Sequence, residues 1–137
     1  MSMVCIPLEY KDYDLILTPW WNSWGWITPP SRDILPENGV GGMIVFDGET
    51  PVCAGYIYDT NSKICWINWV VSNKHYRKKP NRSQAFSMLI KNLEREAFAR
   101  GYKACYFASN SRVLNGRLER EGFLRGSSTQ ELIKSWD

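Results

Sequence analysis

At 137 residues, with 44% hydrophobic and 23% charged residues, the chain has the size and composition of one globular domain with its own core. Its net charge of +3 argues against a protein that coats nucleic acid. No apolar run approaches the ~18 residues of a membrane span, and the N-terminus lacks the pattern of a signal peptide. We therefore expect a single domain over residues 1–137 that is soluble and cytoplasmic.

The cysteine pattern predicts free thiols and no metal site. Cys5, Cys53, Cys65 and Cys105 are scattered along the chain without a C-x-x-C pair, and His75 is the only histidine. Buried thiols in a reducing compartment account for this pattern better than a zinc site does.

The N-terminal part predicts one strand and two short helices. Residues 3–8 are apolar and predict a strand, and Pro7 indicates that this strand either lies at a sheet edge or ends there. Thr18-Pro19 has the pattern of an N-cap followed by a proline in the first helical position. We therefore predict helices over residues 9–17 and 19–25, and Gly25 ends the second.

A cluster of tryptophans, Trp20, Trp21, Trp24 and Trp26, falls in and after the second helix. One interpretation is that these rings pin a helical lid to the sheet. The other is that one or two of them line a substrate cleft, for which Trp24 and Trp26 are the candidates.

The middle of the chain predicts an antiparallel meander. After a loop that contains a single helical turn at residues 31–35, strands are expected at 43–47, 52–58 and 64–71. Asp47-Gly48 and Thr60-Asn61-Ser62 are the turns that join them.

A basic loop, residues 72–82, follows the meander and precedes the next predicted helix. Between Thr60 and Leu93 the chain has seven Lys or Arg residues and no Asp or Glu. A strand, a cationic loop and a helix N-terminus in this order form a phosphate-binding arrangement, because free N–H groups and the helix dipole point at the loop. The alternative is a solvated basic face.

The C-terminal half predicts two helices and further strands. An apolar stripe predicts a helix from Ser83 to Arg100, with Ser83 or Asn81 as its cap. Residues 103–109 then form a strand parallel to 64–71, because a helical crossover joins the two strands.

A second helix is expected at 110–121, ended by Gly122, and a closing hairpin at 123–124 and 130–135.

This order of elements resembles the GCN5-related N-acetyltransferase (GNAT) superfamily over essentially the whole chain. Three segments carry the resemblance: WINWVVSNKHYRKKPNRSQAFSMLI, REAFARGYKACYFAS and SNSRVLNGRLEREGF. The tryptophan-rich PWWNSWGW segment is similar to small bacterial and phage members. The resemblance implies an α/β (α+β) fold with a mixed, mainly antiparallel sheet of six to seven strands, a fourth and a fifth strand that are parallel and splay apart, and about four helices.

The resemblance further implies transfer of an acetyl group from acetyl-CoA directly to a primary amine. The residues that it assigns to CoA binding are Val70, Val71, Arg77, Lys78, Lys79, Asn81, Arg82, Ser83, Gln84, Ala85, Asn110 and Asn115. For Asn110 a helix cap is the alternative. The glycines of the family's loop are absent here, and Pro80 removes one amide donor. Side-chain cations are therefore expected to replace part of the amide contacts.

The catalytic candidates are Asn68 and Tyr56. Many relatives have a glutamate on the fourth strand and a tyrosine in the fourth helix, where this chain has Asn68 and Leu118. Asn68 can position a water or an amine by hydrogen bonding. Tyr56 is a nearby hydroxyl whose alternative role is in the core or at its rim.

Three functions remain open from the sequence. The first is an acetyl-CoA-dependent N-acetyltransferase whose acceptor is a small amine or a protein lysine or N-terminus, in a monomer or homodimer. The acidic N-terminal half suits a cationic acceptor. The second is a non-catalytic binding module with the same fold. The third, a nucleic-acid binder that uses the basic loop with aromatic stacking, is disfavoured by the low net charge.

Overall fold

The computed structural model describes residues 2–26, 28–78 and 80–136. These residues form five strands: β1 Met3–Pro7, β2 Gly42–Asp47, β3 Thr50–Tyr58, β4 Ile64–Ser72 and β5 Ala104–Phe107. The α-helices are α1 Thr18–Ser23, α2 Asn81–Ala99 and α3 Arg112–Arg120. A π-helical segment, Tyr13–Leu17, leads into α1, and two short 3₁₀ turns occupy Arg32–Ile34 and Pro36–Gly39.

The strands form one mixed sheet in the order β1-β2-β3-β4-β5. The pairs β1–β2, β2–β3 and β3–β4 are antiparallel, and the pair β4–β5 is parallel. The expected meander, the edge position of β1 and the parallel fifth strand are all confirmed. The described residues contain five strands where we expected six to seven.

Alternation along the strands gives the sheet two apolar faces. One face, which includes Val45, Ile57 and Ile67, packs against the apolar stripe of α2 through Leu89 and Leu93. The opposite face is covered in part by α1 and the loops before β2; these residues are Leu8, Leu17, Trp20, Trp21, Leu35, Ile44, Ala54, Tyr56 and Val71. The crossover helix therefore lies on one face and the tryptophan segment on the other.

The predicted cap at Thr18 is wrong. Thr18 has helical φ and ψ angles of −59° and −46°, and α1 directly continues the π-helical segment before it. Its hydroxyl is consequently buried and has no hydrogen-bond partner within the described ranges. Gly25, at φ +88°, follows the end of α1 as predicted.

The predicted caps of α2 and α3 are also replaced. Pro80 stands at the N-cap of α2, so Asn81 and Ser83 lie inside the helix. Ser111, and not Asn110, caps α3, because its hydroxyl accepts a hydrogen bond from the Leu114 amide at 3.2 Å.

The closing hairpin is not formed. Residues 123–136 have no strand, and the side chains of Leu132, Ile133 and Trp136 are exposed. Elsewhere in the described ranges, no helix has both the length and the apolar character needed to cross a membrane.

Candidate active site

The two parallel strands separate halfway along β4. Residues Ile64–Ile67 of β4 pair with Ala104–Phe107 of β5, and β5 ends there. β4 continues to Ser72 with β3 as its only paired neighbour among the described strands. The expected parallel pairing is confirmed, and it stops at the point where we expected the two strands to splay apart.

A bulge distorts β4 where its pairing with β5 stops. Ala54 lies opposite Val71 and Tyr56 opposite Asn68, so Gly55 alone faces both intervening residues of β4. Trp69, one of those two, has a left-handed φ of +56°. Its amide donates to the Oδ1 atom of Asn68 at 2.8 Å. The Asn68 side chain thus accepts a hydrogen bond from a main-chain N–H group that the bulge takes out of the β-sheet hydrogen-bonding pattern.

A groove of about 250 Å³ lies beside the unpaired half of β4. Strands β3 and β4 form its floor, and α2 and α3 form its walls. Its lining residues are Val52, Cys53, Val70, Val71, Ser72, Arg82, Phe86, Ser111, Val113, Leu114 and Arg117. Of the predicted cofactor residues, Val70, Val71 and Arg82 line this groove.

Two guanidinium groups are placed along an otherwise mainly apolar wall. Arg82 reaches the Ser72 hydroxyl at 3.3 Å, and the Cζ atom of Arg117 lies 5.7 Å from the centre of the Phe86 ring. None of the residues described as lining the groove is acidic. The groove therefore suits a largely apolar ligand that carries negative charge.

Two main-chain N–H groups at the end of the basic loop and the start of α2 form hydrogen bonds within the chain. The Arg82 amide donates to the Lys78 carbonyl at 2.8 Å, and the Gln84 amide donates to the Pro80 carbonyl at 3.1 Å. Two amides predicted to face a phosphate are thus used within the chain. Arg77 and Lys78 are exposed, as are Ser83 and Gln84, whereas Ala85 is buried in the core and Asn81 is half-buried. Lys79 lies outside the described residues.

The third helix supplies residues that sequence reasoning missed. Asn110 is exposed, and Asn115 is half-buried; neither is among the residues lining the groove. Leu114 and Arg117 line it instead, and they are three residues apart on one helix face. This three-residue spacing was the sequence signal that could have identified the two residues. Spacing alone, however, does not determine which face of α3 turns toward β4.

The two catalytic candidates occupy different environments. Asn68 is half-buried at the bulge, where the strands part. Tyr56 is completely buried, and its hydroxyl donates to the Gly39 carbonyl at 2.9 Å. Burial raises the pKa of the Tyr56 phenol far above its usual range. The structure thus places Asn68 beside the separated strands and Tyr56 in the core.

Cys53 lines the groove, but its thiol is not activated. The side chain is only 3% exposed, and burial raises its pKa to about 12. Because the thiolate is the nucleophilic form of cysteine, this group is a poor acyl acceptor near neutral pH.

The tryptophan segment meets β4 from the opposite side. Trp24 is partly exposed, and its indole N–H donates to the Ser72 carbonyl at 2.8 Å. Trp26 is also partly exposed and packs edge-on against Trp69, with ring centroids 5.7 Å apart. Trp20 and Trp21 are buried. The cluster therefore combines anchoring rings with two rings that border the unpaired half of β4.

Comparison with solved structures identifies the fold. A GCN5-related N-acetyltransferase from Ralstonia eutropha matches with a TM-score of 0.63 at 14% identity, covering 96% of this chain and 98% of that one. Glucosamine-6-phosphate N-acetyltransferase from Arabidopsis thaliana matches with a TM-score of 0.68 at 11% identity, covering 98% and 100%. An aminoglycoside acetyltransferase from an uncultured soil sample, in complex with sisomicin, matches with a TM-score of 0.70 at 8% identity, covering 99% and 97%.

No protein-family model matches the chain, and no curated protein matches it. At these low identities the structural likeness establishes the fold, which is that of the GCN5-related N-acetyltransferases.

Proposed function

We propose that this chain is an acetyl-CoA-dependent N-acetyltransferase that moves the acetyl group directly to a primary amine. The observation that carries the proposal is the unpaired half of β4, which borders a groove holding two arginines. An extended pantetheine arm needs main-chain hydrogen-bonding groups and an apolar wall, and its phosphates need cations. The unpaired half of β4 supplies the main-chain groups. Phe86 and Leu114 supply the apolar wall, and Arg82 and Arg117 supply the cations.

The phosphates of the donor would be held mainly by side chains. The Arg82 and Gln84 amides are already used by the chain, so they add little to a phosphate site. Arg82 and Arg117 line the groove, and the exposed Arg77 and Lys78 stand before α2. Charge-assisted hydrogen bonds of this kind contribute ~1.5–3 kcal/mol each.

The chemistry proposed is a direct attack. The nitrogen of the amine bonds to the thioester carbonyl carbon, the C–S bond breaks, and the thiolate of CoA leaves and is protonated. Val70 and Val71 line the groove, and we expect a main-chain N–H group of this half of β4 to polarise the carbonyl as negative charge develops on its oxygen. Asn68 orients the amine, which gives up its proton to solvent.

Cys53 distinguishes direct transfer from transfer through an acetylated enzyme. Because burial raises its pKa to about 12, we expect Cys53→Ser to retain turnover. Mass spectrometry of the wild type mixed with acetyl-CoA alone should detect no acetylated Cys53. Accumulation of that adduct, together with loss of turnover in Cys53→Ser, would contradict direct transfer.

The donor site is tested by thermal unfolding. Millimolar CoA should raise the Tm by mass action, and the double variant Arg82→Glu/Arg117→Glu should abolish the rise. Arg95→Glu is the matched control, because Arg95 is exposed and lies farther along α2, outside the groove. An unchanged Tm in CoA, or an equal rise in the double variant, would overturn the proposed site.

A non-catalytic binding module is the second candidate. The observations that favour it are the chain's own use of the Arg82 and Gln84 amides and the buried, hydrogen-bonded hydroxyl of Tyr56. Thiol release from acetyl-CoA with a panel of primary amines separates the two functions. Release with any amine supports the enzyme, whereas CoA binding without release supports the module. A salt-sensitive Tm rise with an oligonucleotide but not with CoA would instead support a nucleic-acid binder.

A further inference from the structure

Two large aromatic side chains lie uncovered on the sheet. Trp66 of β4 and Tyr106 of β5 are directly opposite in register. Their ring centroids are 5.1 Å apart, with the planes inclined by 42°. The side chains are 38% and 48% exposed. We call this pair the aromatic platform.

The aromatic platform faces away from α2. Its strand neighbours Cys65 and Ile67 pack in the core beneath α2, and side chains alternate along a strand, so Trp66 points to the opposite face. In register, Trp66 lies opposite Tyr58, which packs against the core on that opposite face. The groove between α2 and α3 and the aromatic platform therefore lie on different sides of the sheet.

The aromatic platform also ends where the parallel strands part. Trp66 precedes Asn68 by two residues, so the two side chains share a face about 7 Å apart along the strand. The last residue pair that joins β4 and β5, Ile67 with Phe107, lies between the aromatic platform and the splay. A molecule stacked on these rings thus reaches the unpaired edge of β4 with a short extension.

We propose that the aromatic platform binds the acceptor, and that the acceptor is a primary amine joined by a short linker to a flat aromatic ring. The proposal rests on the acetyltransferase function above, in which the donor occupies the α2–α3 side. The acceptor then approaches the thioester from the other face, its ring on Trp66 and Tyr106 and its amine beside Asn68.

The surroundings of the aromatic platform favour an aromatic ring over a polyamine or a sugar. Ala104, on the same strand face as Tyr106, is exposed and leaves the ring accessible. Asp59 follows Tyr58 in the chain, but its carboxylate already binds Arg100 and Tyr102. A polyamine needs free carboxylates and a sugar needs several polar partners, whereas stacking on Trp and Tyr needs only flat apolar surface.

Binding of 2-phenylethylamine, measured by isothermal titration calorimetry with and without CoA, tests the proposal, and a shift of the Trp66 indole N–H signal in NMR spectra of the wild type locates the binding site. Octylamine has the same number of carbon atoms and no ring, and glucosamine and spermidine represent the other two classes. We expect 2-phenylethylamine to bind most tightly. Trp66→Ala and Tyr106→Ala should each weaken it by roughly tenfold, while Tyr106→Phe should not. Trp136→Ala is the matched control, because Trp136 is an exposed tryptophan in the C-terminal segment.

Equal or tighter binding of octylamine, glucosamine or spermidine would overturn the proposal, and so would an undiminished affinity in Trp66→Ala. The Tm rise with CoA separates this failure from failure of the donor site. If CoA stabilises wild type and Trp66→Ala equally while 2-phenylethylamine does not bind, the proposed donor site is supported and the proposed acceptor site on the aromatic platform is refuted. If CoA stabilises neither, the acetyltransferase function falls and the acceptor assignment falls with it.

Discussion

The two halves of β4 differ in pairing, and the difference separates a supporting part of the strand from a candidate binding site. Residues Ile64–Ile67 all pair with β5, and the last two of them also pair with β3 on the other side; from Cys65 to Ile67 their side chains alternate between buried and exposed. The second half, Asn68–Ser72, keeps β3 on one side but not β5 on the other, and a bulge interrupts its ladder. The first half is an ordinary central strand, whereas the second presents main chain to a groove.

The groove exists because the second half of β4 is paired with β3 on one side and is not paired with β5 on the other. β3 holds the second half in place, so the strand stays extended without β5. The bulge adds one residue on β4 opposite Gly55 and turns the strand locally. Variants that alter the bulge should therefore affect the groove, and variants that loosen the first half should affect stability alone.

The largest effect is expected at Gly55, opposite the bulge. A Cβ atom there would lie 2.9 Å from the Cγ2 atom of Val70 and 3.4 Å from the Cδ1 atom of Leu93. Overpacking of this kind destabilises by about 1–3 kcal/mol, so we expect Gly55→Ala to lose about 2 kcal/mol in urea unfolding. Because Val70 lines the groove, the Tm rise with CoA should shrink as well.

The double variant Gly55→Ala/Val70→Ala controls for the mechanism. Removing the Val70 methyl groups relieves the contact, so the double variant should be more stable than the sum of the two single effects by about 1 kcal/mol. Gly126→Ala, where a Cβ meets no atom within 4 Å, should leave stability unchanged. Strict additivity would show that the close approach of Gly55 to the bulge is not what limits this position.

The next effect concerns Tyr56, which lies opposite Asn68 at the boundary between the halves. Tyr56→Phe removes the donor to the buried Gly39 carbonyl, which should lower the free energy of unfolding by about 1–2 kcal/mol. Because the ring is completely buried, kcat should be kept. Tyr10→Phe, at an exposed tyrosine, is the stability control. A hundredfold fall in kcat with unchanged stability would instead give the Tyr56 hydroxyl a catalytic role.

Most of the sheet could be predicted because its signals are local. Asp47-Gly48 and the Thr60–Ser62 turn fix the meander, and the helical crossover forces β5 to be parallel. Predictions failed where a local pattern competed with its neighbours. Thr18-Pro19 reads as a helix start, but the preceding π-helical segment removes the free helix end that a cap would serve. Residues 130–135 have strand-like composition, yet no described strand pairs with them.

The candidate site could be predicted only as far as the main chain determines it. Val70 and Val71 follow from the position of β4, and Arg82 follows from the start of α2. Arg117 depends on how α3 is rotated about its axis, which packing against Phe86 and Ile90 decides. The pairing of Trp66 with Tyr106 depends on the register of two strands that are about forty residues apart, and residue spacing alone does not fix it.

A smaller effect is expected at Asn68, whose side chain accepts a hydrogen bond from the main chain of the bulge. Asn68→Leu removes the Oδ1 acceptor of the Trp69 amide and should lower the free energy of unfolding by about 1 kcal/mol. Asn68→Asp keeps an acceptor in the same place and should be closer to wild type. Urea unfolding of both variants measures the difference. Equal stability of the two would mean that the left-handed Trp69 needs no side-chain partner.

The smallest effect belongs to the turn that leads into the paired half of β4. The Tyr102 hydroxyl, at 2.7 Å from Oδ1 of Asp59, and the Arg100 guanidinium, at 3.0 and 2.9 Å from its two oxygens, hold the pKa of this carboxyl below its usual range. A depressed folded-state pKa stabilises the fold above the unfolded-state value, near pH 4, and this contribution disappears as the pH falls through the lower, folded-state pKa.

Asp59→Asn should therefore lose less than about 1 kcal/mol at pH 7, because the group is exposed and screened by solvent. The difference from wild type in urea unfolding should begin to shrink as the pH falls below about 4 and should vanish once the pH is below the lower, folded-state pKa. Glu96→Gln is the control, since it removes another carboxylate bound to Arg100 and leaves Asp59 in place. The Tm rise with CoA should be unchanged in Asp59→Asn, because the turn supports the first half of β4 while the proposed donor site lies along the second. A reduced rise would mean that the two halves are coupled, and the distinction between a supporting and a binding half of this strand would fail.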